Sequence, residues 1–123
     1  MYFDRVLPAA LAMVVSLTAT ATATAASAHA HMTAATPAAG STVTAPRSVT
    51  LTFSERLVPA FSSLELSNAA GTRSTVTTTV SEDGKTLIGT PSAPLTTGRY
   101  TVHWAIASGD GHRMTGNHVF TVR

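Results

Sequence analysis

Asp110, Gly111 and His112 put a carboxylate two residues before an imidazole. On an extended segment, side chains two apart point to the same side. A carboxylate and an imidazole side by side make half of a metal site. Alone the pair is a weak signal. Asp110 can equally brace a turn with Gly111, leaving His112 as a solvated loop residue. A histidine far upstream changes its weight. His29 directly follows Ala26-Ser27-Ala28, a small-x-small sequence of the kind signal peptidase cuts after. Cleavage there makes His29 the first residue and gives it two nitrogens, its imidazole and a free α-amine. With Asp110 and His112 the set is three nitrogens and one oxygen. Cu(II) favours tetragonal nitrogen and oxygen sites and tops the divalent affinity order. The expected cargo is one Cu(II) per chain, held by His29, Asp110 and His112.

The other histidines carry less. His31 lies two residues after His29, and is either an additional ligand or a competitor, since an x-x-His start can wrap Cu(II) with its own amides. His103 falls opposite Trp104 on its strand and reads as a surface residue. His118 shares a face with Phe120, as a partly buried histidine or a support to the metal ligands. Glu55 reads as structural.

The elements that position these groups begin with a leader. Met1 to Arg5 carries one Arg and, atypically, one Asp. Val6 to Leu17 is an apolar run interrupted by Pro8 and Ser16, and an Ala/Thr tract follows to Ala26. Residues 1–28 read as a secretory signal peptide. The apolar run is shorter than the roughly 20 residues a spanning helix needs. A second cut after Ala28-His29-Ala30 would expose His31 instead. Removing 28 of 123 residues leaves 95, with no later segment apolar enough to cross a membrane. The mature protein, residues 29–123, is expected to be one domain outside the cytoplasm, periplasmic or secreted.

Composition narrows the classes further. Charged residues are 11% of the chain, against about 25% in a typical soluble protein. The net charge of +2 is mild and scattered, which argues against nucleic acid as a partner. The absence of cysteine excludes disulfides, thiolate metal sites and Cys nucleophiles.

Beyond residue 30 the pattern is of strands. Arg47 to Phe53 puts Val49, Leu51 and Phe53 on one face, and Ser63 to Ser67 does the same with Leu64 and Leu66. Ser74 to Val80 is a Thr/Val run, and Lys85 to Thr90 follows the turn Glu82-Asp83-Gly84. Arg99 to Ala107 aligns Tyr100, Val102, Trp104 and Ile106; Asn117 to Arg123 aligns His118, Phe120 and Val122. His31 to Ala35 is a short first strand. About seven strands at this spacing predict an all-β Greek-key sandwich or barrel. Two packed sheets would allow the chain start to lie beside a Ser108–Asn117 loop.

These residues, in this order, resemble the CopC family of periplasmic copper-binding proteins. The matching features are His29, Thr36-Pro37 with Gly40-Ser41, and Thr52-Phe53-Ser54-Glu55 with Leu57. Then come Pro94-Leu95, Gly98-Arg99-Tyr100, Val102-x-Trp104, and Ser108-x-Asp110-x-His112 with Thr115-Gly116, Phe120 and Val122. The set spans nearly all of 29–123. The resemblance implies a cupredoxin-like or immunoglobulin-like fold. It also implies a Cu(II) site of the N-terminal histidine, its amine, Asp110 and His112, and the offset to Thr36-Pro37 favours His29 over His31 as the first residue. Some members also bind Cu(I) on a methionine-rich loop. The corresponding stretch here, Ser67 to Val80, contains no methionine, so no Met-based Cu(I) site is expected.

Four protein donors leave little open equatorial space on a copper ion, which favours carriage over turnover. The leading expectation is a monomeric copper carrier or buffer for resistance or uptake, not an enzyme, that passes copper to a membrane transporter. Two other readings are distinct in class. A metal-free immunoglobulin-like interaction module would bind no copper after correct processing. A histidine-brace copper oxygenase would need a flat aromatic substrate face, which one Trp and two Tyr hardly supply.

Overall fold

A computed structural model describes residues 30–123. His29 and the leader lie outside the described residues. Among the described residues nine strands follow one another: β1 Met32–Thr36, β2 Thr42–Val43, β3 Val49–Phe53, β4 Ser63–Asn68, β5 Arg73–Ser74, β6 Val76–Val80, β7 Thr86–Pro91, β8 Gly98–Ala107 and β9 Arg113–Val122. The helical element among the described residues is a 3-10 turn, Pro59–Phe61. Seven of the strands correspond to those expected from the sequence. β2 and β5, two residues each, are too short to show a period.

The strands form two packed sheets. One has the order β1-β3-β7-β6, the other β2-β9-β8-β4-β5. This is an open sandwich; the sheets do not close into a barrel. Neighbours pair antiparallel except β2, which runs parallel to β9. The alternating residues face inward as expected. Val49, Leu51, Phe53, Leu64, Leu66, Leu87, Val102, Ile106, Phe120 and Val122 are all buried. Burying each such side chain contributes roughly 1.5–3 kcal/mol relative to exposure.

Most strand bounds shift by one or two residues from those expected, and the start of β9 shifts furthest. β9 starts at Arg113 rather than Asn117, so its ladder with β8 runs ten residues and the connecting turn is short. Arg113 to Asn117 hides its strand character because Gly116 occupies an inward position. Trp104 is its partner across the ladder and lies over it. The Trp104 ring is half-buried and meets Phe53 edge-on at 5.2 Å between centroids. A methyl at position 116 would intrude on the indole. Gly116→Ala is therefore expected to cost about 1–3 kcal/mol, the range for an overpacked core. Urea unfolding followed by the fluorescence of this single tryptophan measures it.

Candidate metal centre

The end of the sandwich that carries Asp110 and His112 is built on one crossing segment, Ser54 to Val58. At its start the Ser54 N–H donates to the His31 carbonyl at 2.9 Å, and the His31 N–H donates to Ser54 Oγ at 3.0 Å. Ala30, just before, is fully buried in the core. Farther along, Leu57 bridges Ser108, and the Val58 N–H donates to the Ala107 carbonyl at 2.8 Å. The Gly109 N–H returns a bond to the Arg56 carbonyl at 3.2 Å. One five-residue segment thus fastens both the described chain start and the turn between β8 and β9. His31 is held at one end of this segment and the turn at the other.

Asp110 and His112 come together by a turn, not by strand alternation. Gly111 has φ +86°, a left-handed conformation that glycine adopts without steric penalty. The Ser108 N–H bonds to the His112 carbonyl at 3.0 Å and the Gly111 N–H to the Ser108 carbonyl at 2.9 Å. Inside this turn His112 Nδ1 lies 2.8 Å from Asp110 Oδ2. Asp110 Oδ1 accepts the His112 N–H at 3.0 Å and the Ser108 hydroxyl. The turn-bracing role of Asp110 and its pairing with His112 are both real. The two side chains keep 38% and 55% of their surface in solvent, enough for an ion to reach them.

These bonds hold the Asp110 carboxyl well below the usual carboxylate range. The Ser108 hydroxyl contributes most, then the His112 N–H, then the His112 ring. All three favour the charged form. A depressed native pKa adds stability that is complete above the unfolded value near 3.8 and fades as pH falls below it. In metal-free protein, Asp110→Asn is therefore expected to flatten the acid side of the stability curve below about pH 4. Thermal melts between pH 2 and 6 read this directly.

A carboxylate beside an imidazole, with a third donor still needed, fits a nitrogen and oxygen metal. Among the described residues, no group of three or more His, Cys, Asp or Glu side chains is arranged to hold an ion. His31 is exposed at the same end but does not complete such a group with Asp110 and His112. His118 is part-buried, as expected, yet donates from Nε2 to the Pro37 carbonyl at 3.1 Å. It sits five residues along β9 from Arg113, roughly 17 Å of strand away, so it does not support the pair. His103 is an exposed strand residue beside Ser67 Oγ at 3.3 Å. Met32 and Met114 are half-buried against the core, on strands of different sheets. Ser108 stands in the family pattern with no role expected of it. Its signal is the Ser-x-Asp spacing, which lets a hydroxyl reach back to a carboxylate.

The CopC domain family model matches residues 32–123, which include all nine strands. Copper resistance protein C of Xanthomonas campestris pv. juglandis is 34% identical over 99 residues, covering 75% of this chain and 78% of that protein. The protein of the same name from Pseudomonas syringae pv. tomato is 39% identical over 99 residues, covering 75% and 79%. The crystal structure of PcoC, a methionine-rich copper resistance protein from Escherichia coli, matches with a TM-score of 0.72 and 34% identity, over 78% of this chain and all of that one. The structure of CopC from Methylosinus trichosporium OB3b matches with a TM-score of 0.72 and 30% identity, over 76% and 93%. A family model that takes in the whole sandwich, and relatives matched over more than three quarters of their length, carry one conclusion: the chain belongs to the CopC family.

Proposed function

We propose that this protein is an extracytoplasmic Cu(II) carrier or buffer that serves copper resistance or uptake. The observation that carries the reading is the Asp110–His112 pair, half-exposed on a braced turn at the end of the sandwich where Ala30 and His31 lie. Family membership supports copper as the cargo. Residues 1–28 act as a signal peptide, and cleavage leaves His29 first. The nine strands among the described residues lie within residues 32–122, beyond the cut. The His29 α-amine and imidazole then complete a set of three nitrogens and one oxygen with His112 and Asp110, which suits tetragonal Cu(II). The protein holds one ion, acts as a monomer without catalytic turnover, and passes copper to a membrane transporter. No helix among the described residues is long and apolar enough to cross a membrane.

Binding must displace the proton of the α-amine, whose reference pKa is about 8. Affinity is therefore expected to fall as pH drops from 8 to 5. The test of the function is Cu(II) electron paramagnetic resonance on processed protein beginning at His29, with and without one extra N-terminal Ala. A tetragonal nitrogen-rich signal that changes sharply with the extra residue supports the site. An unchanged signal moves copper away from the N-terminus, and no bound signal leaves an interaction module. The methionines give a further check. Met32→Leu with Met114→Leu is expected to leave Cu(II) affinity within about twofold, because neither thioether belongs to the donor set and Leu replaces Met at nearly equal volume.

A further inference from the structure

Ser108 is buried, with only 3% of its surface exposed, and its hydroxyl is aimed at the carboxylate of Asp110. The fold fixes it twice over. Its backbone bridges Leu57, and its N–H closes the turn on the His112 carbonyl. The hydroxyl and the His112 N–H both bond to the same oxygen, Oδ1. Oδ2 is left on the imidazole side, 2.8 Å from His112 Nδ1. The carboxylate therefore cannot swivel without breaking two hydrogen bonds.

We infer that Ser108 is the positioning residue that makes Asp110 a one-oxygen donor to the metal. This rests on the Cu(II) reading of the site and deepens it. A carboxylate that turns freely can bind through one oxygen or both, and hard cations accept either mode. A tetragonal site with three nitrogens has room for one oxygen in its plane. Engaging Oδ1 selects that mode before the ion arrives. It also reduces the torsional freedom Asp110 loses on binding. Ser108 touches no metal in this scheme; it acts only through Asp110.

The test is a mutant cycle in processed, full-length mature protein. Cu(II) affinity is measured by chelator competition, and the paramagnetic resonance spectrum is recorded for each variant. Ser108→Ala is expected to weaken Cu(II) binding about 10–100-fold, the range for loss of a partner that orients a ligand. Its spectrum is expected to shift, because the oxygen donor is no longer fixed. In the Asp110→Asn background, Ser108→Ala is expected to add no further loss. With Asp110 intact, Ser108→Thr, which keeps a hydroxyl, is expected to retain most of the wild-type affinity. Unchanged affinity in Ser108→Ala overturns the inference while leaving the copper site standing. So does a loss that adds fully to that of Asp110→Asn, which marks a general structural role. The cycle decides the matter even if the threonine variant does not fold. Absence of Cu(II) binding by the wild-type protein overturns the carrier reading and this inference together.

Discussion

His112→Ala is expected to lower Cu(II) affinity by at least about 100-fold, with a nitrogen lost from the coordination sphere. The size follows from comparison. Removing a group that merely orients a ligand costs about 10–100-fold, so removing the ligand itself should reach or pass the top of that range. Little else should change. His112 is half-exposed on a turn, and its backbone bonds to Ser108 and Asp110 do not need the ring. Unfolding in the absence of metal is expected to stay within about 1 kcal/mol of wild type, as at sites away from the core. Chelator competition reads the first quantity and urea titration the second. A variant that keeps full affinity would remove His112 from the site. One that unfolds would show that the ring matters for stability instead.

Phe53→Ala is the second large effect, and it falls on stability. Phe53 is almost fully buried, meets Trp104 edge-on, and immediately precedes the serine that fastens His31. Truncating a core Phe costs about 3–5 kcal/mol. That is a large share of the roughly 5–15 kcal/mol that holds a domain folded. For a domain of this size it corresponds to a fall in Tm of roughly 20 °C. Cu(II) should offset part of the loss. A ligand at a hundred times its Kd adds about 2.7 kcal/mol if it binds only the folded state. Calorimetry with and without Cu(II) tests both numbers. A Tm within about 5 °C of wild type would contradict the packing described for Phe53.

The sheet was legible where one face is buried and the other wet, because side chains then alternate with period two. Val49, Leu51 and Phe53 fix one sheet this way; Tyr100, Val102 and Ile106 fix the other. The pattern failed where an inward position holds no bulk, as at Gly116, or where a strand is only two residues long, as at Thr42–Val43. Asp110 and His112 were legible as a pair from their spacing, but the geometry that joins them was not. It depends on the conformation of Gly111 and on hydrogen bonds to Ser108, neither of which hydropathy reports. A two-sheet fold allowed the chain start to approach this turn, but the route that ties them was not readable. It follows from Ser54 and Leu57, whose partners lie 23 residues upstream and 51 downstream.

The place of β9 in its sheet bears on how the protein is made. It is the last of the nine strands to leave the ribosome, yet it lies inside the five-stranded sheet, between β2 and β8. Until it emerges, β8 lacks its ten-residue partner, β2 has no ladder to join, and Phe120 and Val122 are missing from the core. A nascent chain can form hairpins such as β6–β7 but cannot assemble that sheet. The β2–β9 pairing joins Thr42 to Thr121, and contacts this distant in sequence are slow to form. The five-stranded sheet is therefore completed only at the end of synthesis, when this interior strand becomes free to pair.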